Sequence, residues 1–364
     1  MMQLSKPVIG REEKANVLKV LDSGLLARGR FVDDFEKSFA KYVGTKYALS
    51  TSNGTTALHA ALLAAGVKAG DLVITTPFSF IATSNAILQC GAKIIFADID
   101  PATFNISPGE IEKILKKHSR KIKALVITHL YGLPCQMDRI MSLVRKYDLL
   151  LIEDCAQAHG AKFKNKNAGS FGTAGTFSFY GSKNMTTGEG GMITTNSNAL
   201  YKKAKCLIDQ GRASRFVHCE VGFNYRMSNV AAALGVAQLK KIRKLNNSRI
   251  KNARYLSGKL KGIAWLITPY RPEEARGVFH QYTIRIKQGR DKFIEYLKTK
   301  GIAAAPNYSL PIHKQPAYKK LGYGKYRLPE AERAAREIVN IPVHPALKRK
   351  DLEELINAVK SWKK

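Results

Sequence analysis

Acidic residues are scarce in this chain: 28 Asp and Glu stand against 60 Lys and Arg in 364 residues, a formal charge of +32. Long apolar runs are also missing. None approaches the roughly 18 to 20 residues that a helix needs to cross a bilayer, so no membrane partner is expected. The opening Met1-Met2-Gln3-Leu4-Ser5-Lys6 has no apolar stretch of the secretory type. Cysteine is sparse and odd in number: Cys90, Cys135, Cys155, Cys206 and Cys219, with no CxxC and no metal-like spacing. That pattern argues against a disulfide framework, assigns no metal, and fits a reducing cytoplasm. Internal repeats, linkers and low-complexity tracts are absent too. A basic excess can signal nucleic-acid binding through phosphate neutralisation. Here the basic residues are dispersed, as in Lys116-Lys117-His118-Ser119-Arg120-Lys121 and Lys240-Lys241-Ile242-Arg243-Lys244, and no nucleic-acid motif accompanies them. They read as solvated faces, and no nucleic acid is expected as a partner.

What the chain does contain is a lysine in an unusual setting. Phe177-Ser178-Phe179-Tyr180-Gly181-Ser182-Lys183 is an apolar, aromatic strand-like run that delivers Lys183 and then breaks into the turn Gly188-Glu189-Gly190-Gly191. A lysine held there is partly desolvated and placed by stiff backbone, as a Schiff-base amine must be. Upstream, Leu149-Leu150-Leu151-Ile152-Glu153-Asp154 reads as a buried strand ending on a carboxylate. Further upstream, Ser52-Asn53-Gly54-Thr55-Thr56 closes a strand and opens an apolar helix over about 57–65. Unpaired N–H groups at Gly54, Thr55 and Thr56, with the helix dipole, favour a phosphate. Phosphate cup, carboxylate and lysine are the three contributions a pyridoxal phosphate (PLP) enzyme requires of its protein. Asp154 would then pair with the protonated ring nitrogen, and Lys183 would hold the cofactor and move the proton.

The rest of the chain suits such a scaffold. Apolar runs at Leu72 to Thr75, Lys93 to Ala97, Ala124 to Thr128 and Leu149 to Glu153 read as buried parallel strands. The segments between them are long enough for crossover helices, and the alternation continues to about residue 200. After Ser228 and Asn229 an Ala/Leu-rich segment reads as a long helix leading out of the first domain. Beyond it come basic helices, a strand candidate at Gln281 to Ile286 and Pro-punctuated loops. The expected architecture is α/β, with a large domain over 1–245 built on a mostly parallel sheet flanked by helices. A smaller C-terminal α/β domain over 246–364 completes it.

The chain resembles the DegT/DnrJ/EryC1/StrS family of nucleotide-sugar aminotransferases, within the aspartate-aminotransferase fold type (fold type I) of PLP enzymes. The matching segments run through nearly the whole sequence: Gly29-Arg30-Phe31-Val32-Asp33-Asp34-Phe35-Glu36, Ser52 to Leu58, Pro77 to Thr83, His129-Leu130-Tyr131-Gly132, Glu153 to Gly160, the lysine motif, Phe223 to Asn229, and Pro311 to Pro316. The resemblance implies that Ser178 also binds the cofactor phosphate, that Phe80 stacks on the pyridine ring, and that Gln157 contacts the 3-hydroxyl side. It implies that Asn224 reaches the phosphate of the other subunit, making a homodimer with shared active sites. Arg226 and His313 are its candidates for contacting substrate.

By the same resemblance, glutamate supplies the amino group and a nucleotide-linked keto-deoxysugar receives it, at C3 or C4. The product would be an amino sugar for polysaccharide, lipopolysaccharide O-antigen, glycan or antibiotic biosynthesis. A positive surface would help collect a diphosphate substrate. The alternative reading is a PLP-dependent dehydratase or another non-transaminating enzyme acting on a nucleotide sugar. A related dehydrating branch carries histidine at the lysine position, and the residue here is Lys183.

Overall fold

A computed structural model describes residues 1–118 and 121–362; Ser119 and Arg120 of the basic run, with Lys363 and Lys364, lie outside the described residues. Two helices lead in, α1 (Arg11–Ser23) and α2 (Arg30–Val43). The main sheet is then built from β1 (Tyr47–Thr51), β2 (Leu72–Thr75), β3 (Lys93–Phe96), β4 (Ile122–Thr128), β5 (Leu150–Asp154), β8 (Ala174–Ser178) and β9 (Gly191–Thr195). Between these strands run α3 (Gly54–Ala64), α4 (Ala82–Gln89), α5 (Pro108–His118), α6 (Met137–Lys146) and the short β6 (Lys162–Phe163) and β7 (Lys166–Asn167). The strand order is β1-β9-β8-β5-β4-β2-β3. The pairs β2–β3, β2–β4, β4–β5 and β5–β8 are parallel, and β9 runs antiparallel between β8 and β1.

Period-two alternation makes these strands apolar on both faces. Ile74, Leu125, Ile127 and Leu151 pack with Ile111, Leu115 and Ile140 of α5 and α6 on one side. Val73, Ala124, Val126 and Ile152 pack with Leu58, Leu62 and Ile87 of α3 and α4 on the other. The helix–strand alternation stops earlier than the sequence suggests, because β6 to β9 follow one another without a helix. The physical reason lies in β8 and β9, an antiparallel pair that needs no crossover, and its connecting loop carries Lys183.

The chain continues through α7 (Asn198–Ile208), the hairpin β10 (Arg212–Ser214) and β11 (Val217–His218), and the 32-residue α8 (Asn229–Leu260). Ser228 caps α8, its hydroxyl accepting the Ala231 N–H at 3.2 Å. After α8 come β12 (Leu266–Ile267), β13 (Ala275–Arg276), β14 (Tyr282–Ile286), α9 (Arg290–Thr299), α10 (Pro316–Lys320), α11 (Pro329–Glu337), β15 (Ile338–Ile341) and α12 (Arg349–Ser361). The antiparallel sheet β12-β14-β15 closes a second core with Leu256, Phe293, Leu355 and Val359. Residues 245 and 246 fall inside continuous α8, and segments on either side share cores. Ile312, Tyr318, Leu328 and Ile338 are buried with the α3–α4 face of the main sheet, while Met2 bridges to Ile302.

Candidate active site

The site begins where β1 hands over to α3. Asn53 caps the helix: its side-chain oxygen accepts the Thr56 N–H at 3.0 Å, and the Thr56 hydroxyl accepts the Asn53 N–H at 3.1 Å. The N–H groups of Gly54 and Thr55 are left as the orphan donors of the first turn. Both residues line a cavity of about 740 Å³. Glycine at 54 is dictated by close approach, since a Cβ there would sit 2.7 Å from Cβ of Ser178, the last residue of β8. Bare backbone and a serine hydroxyl thus meet at a helix N-terminus, a cradle suited to a phosphate.

Asp154 is the last residue of β5, its register fixed against Thr128 of β4 and Thr176 of β8. The carboxylate is buried, and its oxygens accept the Thr83 hydroxyl at 2.7 Å and the Ala156 N–H at 3.0 Å. Two hydrogen bonds from fixed donors hold the side chain aimed into the cavity. Ser79 backs the arrangement by donating to Thr83 Oγ1 at 3.3 Å. Beneath it, Glu153 accepts the N–H groups of Gly169, Phe171 and Gly172 and pairs with His129 Nε2 at 3.0 Å, fastening the turn before β8 to β5.

Lys183 lies in the β8–β9 loop. Phe179, buried against Phe35 and Phe39, anchors that loop by donating to Gly190 O at 2.8 Å and accepting from Thr187 N–H at 2.9 Å. Burial lowers the Lys183 ammonium to about 8, with Asp154 opposing the shift. Burial also pushes His159 to about 3 and His280 well below its ordinary value, and the nearby Lys183 cation acts in the same direction on both. The two imidazoles are therefore neutral at physiological pH, and the Lys183 ammonium gives up its proton far more readily than a solvated lysine.

Gln157 is oriented from both ends: its oxygen accepts the Tyr131 N–H at 2.7 Å and its nitrogen donates to the Tyr308 hydroxyl at 3.1 Å. Phe80 remains 57% exposed on the cavity wall, a flat apolar face that a planar ring would cover. Anion cradle, aimed carboxylate, exposed aromatic face and buried amine together fit PLP. Gly54, Thr55, Thr56, Phe80, Asp154, Gln157, Ser178 and Lys183 all line the one cavity.

Three expected residues are not brought to it. Asn224 is exposed, and its carbonyl oxygen accepts the Arg226 guanidinium at 3.2 and 3.3 Å. Arg226 in turn pairs with Asp209 at 2.9 Å. His313 is fully buried beside Phe96, with Nε2 on the Glu332 carboxylate at 3.0 Å, so direct contact with substrate in this cavity is closed to it. Its loop-like setting between prolines hid a core position. Sequence reasoning missed Thr83, His280, Tyr225 and Tyr308. Thr83 was within reach, one helical turn after Phe80, whereas Tyr308 stands 151 residues from the Gln157 it bonds and carries no local signal.

The DegT/DnrJ/EryC1/StrS aminotransferase family profile matches residues 7–360. The chain belongs to this family. GDP-perosamine synthase of Caulobacter vibrioides is 38% identical over 366 residues, 98% of this chain and 97% of the relative. The dTDP-3-amino-3,6-dideoxy-alpha-D-galactopyranose transaminase of Aneurinibacillus thermoaerophilus is 35% identical over 345 residues, 94% and 93% of the two chains. Among solved structures, S. venezuelae DesV in complex with a ketimine intermediate superposes with a TM-score of 0.92 at 31% identity, covering 96% of this chain and 94% of that one. The chain is accordingly an aminotransferase of fold type I, with PLP as cofactor. Among the described residues no helix is long and apolar enough to cross a membrane.

Proposed function

We propose that this enzyme moves an amino group from glutamate to C3 or C4 of a keto-deoxysugar carried on a nucleotide, acting in the cytoplasm as a homodimer. The observation that carries the reading is the joint placement of Lys183, Asp154, Phe80 and the α3 N-terminus around one cavity. Relatives named for GDP- and dTDP-linked amino sugars support the substrate class.

When bound, PLP supplies an electron sink for negative charge at the carbon bearing the nitrogen. The N–H groups of Gly54 and Thr55, with the Thr55 and Ser178 hydroxyls, would hold its phosphate. Thr56 is the capping member of that cup, and its side chain is committed to Asn53. Asp154, held in place by the Thr83 hydroxyl and the Ala156 N–H, would pair with the protonated ring nitrogen. Phe80 would stack on the ring and Gln157 would address the 3-hydroxyl edge. Lys183 Nζ, its proton affinity lowered by burial, would anchor the cofactor and move a proton to and from the substrate carbon.

Asn224 supports the shared-site reading through its position: it faces solvent, outside its own chain's cavity, on a tongue whose Phe216 and Val221 are 83% and 90% exposed. Apolar side chains so bare are suited to burial against a second copy. Arg226 remains a candidate for substrate contact only in that shared arrangement. The test is a panel of keto-sugar nucleotides incubated with the PLP-loaded enzyme and ¹⁵N-glutamate, with products read by mass spectrometry. A ¹⁵N-labelled amino sugar and equimolar 2-oxoglutarate are expected. A product that has lost water without gaining nitrogen would establish dehydration instead.

A further inference from the structure

Two of the five cysteines meet on the surface although 12 residues separate them. Cys206 and Cys219 place their sulfurs 3.4 Å apart, and a Glu220 carboxylate oxygen lies within 4.8 Å of both. Cys206 is half-buried near the end of α7, and Cys219 is exposed just beyond β11. We propose that Cys206, Cys219 and Glu220 form a zinc site that clamps the base of the β10–β11 tongue.

The geometry supports a cation between these groups. With zinc–sulfur bonds of about 2.3 Å at a tetrahedral angle, two thiolates on one ion stand roughly 3.8 Å apart, close to the separation already present. Glu220 distinguishes a metal from a disulfide, because a carboxylate adds a donor to a cation and nothing to a disulfide. The backbone segments beneath approach each other closely. A Cβ on Gly211, whose φ is +72°, would lie 1.7 Å from Glu220 O, and one on Gly222 would lie 1.9 Å from Gly211 N. Cys219 N–H also donates to Gly211 O at 2.9 Å. These contacts hold Cys219 and Glu220 against the end of α7 before any ion arrives.

Among the described residues a second grouping of this kind, His129, Glu153 and Cys155, is different: it is buried, and its carboxylate is already saturated by four hydrogen bonds. Binding would release two thiol protons as two zinc–sulfur bonds form, with solvent in the fourth position. Two thiolates, one carboxylate and Zn²⁺ leave a net charge of about −1, which Lys203, already paired with Glu220, neutralises. The tongue so fastened leads into Phe223 and Tyr225. These bond back to Leu207, Ile208 and Gln210, and Tyr225 O accepts Ser52 N–H at 2.7 Å beside the α3 cap. The clamp would thus steady the segment that presents Asn224.

The experiment uses the full-length, PLP-loaded protein, reduced, exposed to Zn²⁺ and desalted through a weak chelator, with metal measured by elemental mass spectrometry. One zinc per chain is expected for the wild type and for Cys90→Ser. The Cys206→Ser/Cys219→Ser double variant should retain none, and Glu220→Gln should bind roughly tenfold more weakly or worse. Co²⁺ in place of Zn²⁺ should give thiolate charge-transfer absorption that Cys219→Ser abolishes. Equal metal in wild type and double variant would overturn the proposal, as would absence of stoichiometric metal in the reduced protein. Recovery of a Cys206–Cys219 disulfide in place of metal from freshly purified protein would overturn it too.

Discussion

Replacing Lys183 by methionine should stabilise the cofactor-free protein at neutral pH. Folding carries this ammonium from its ordinary 10.5 to about 8. That displacement corresponds to roughly 3 kcal/mol of penalty on the charged form. The side chain borders an open cavity and Asp154 favours the cation, so solvent screening brings the expected gain to roughly 1 to 3 kcal/mol. Methionine matches the length and apolar bulk of the lysine stem. In the wild type, the unfolded lysine keeps its proton up to about pH 10.5 and the folded one only up to about pH 8. Between those values the unfolded chain binds more protons, so wild-type stability attributable to this group rises with pH. Below pH 8 both states are protonated and the full penalty remains. The methionine variant should therefore lead at pH 7, lead by less at pH 9.5, and hold no advantage near 10.5. Side-by-side denaturation of the two apoproteins at pH 7 and 9.5 measures this. A variant no more stable than wild type at pH 7, or an advantage undiminished at 9.5, refutes the electrostatic account.

Other outcomes follow from the same geometry. Asp154→Asn should retain PLP while turnover falls at least ~100-fold, because the neutral amide no longer keeps the ring nitrogen protonated; wild-type rates would remove that assignment. Gly54→Ala puts a methyl 2.7 Å from Ser178 Cβ and should weaken PLP binding roughly tenfold or more, with partial recovery in Gly54→Ala/Ser178→Gly; equilibrium dialysis reads both. Lys183→Ala should bind PLP noncovalently and show no turnover. If Asn224 serves its partner, heterodimers of Lys183→Ala with Asn224→Trp contain one intact site, and activity should return to about half of wild type; none returning in verified heterodimers would place Asn224 elsewhere.

The parts of the site that were legible in the sequence sit at element ends. Asp154 closes an unmistakably apolar strand, and Gly54-Thr55-Thr56 follows a capping asparagine. Lys183 is announced by the aromatic run before it. Strands β2 to β5 were legible because they are apolar on both faces, while β9 was not, since antiparallel pairing across a helix-free loop leaves no crossover helix to flag it. His280, Tyr225 and Tyr308 come from distant segments, and nothing local marks them as facing a cavity. The reverse error fell on His313, whose neighbours look like a surface loop. Its burial is decided by Phe96 and Glu332, on β3 and α11.

Tolerance to change should differ within the cavity because the fold supports its walls unequally. Asp154 and Ser178 stand on adjacent strands whose register is fixed by the pairing Asp154↔Thr176, so their separation follows from sheet geometry. Ser178 in turn touches the first residue of α3, which ties the phosphate cradle to the same sheet. The cradle and the carboxylate are thus positioned by sheet and helix backbone, with Thr83 and Asn53 fixing the carboxylate and the cap. Lys183 is connected through a loop pinned by Phe179 at one end and Gly191 of β9 at the other, with Met185 buried between them. Its four-carbon stem supplies the only long flexible reach in this arrangement, and a group that must anchor a cofactor and then move a proton needs that reach. The strand- and helix-borne parts suit holding PLP, and the amine at the end of a long stem suits turnover. Changes to Phe179 or Met185 should therefore lower catalytic rate before they loosen cofactor binding.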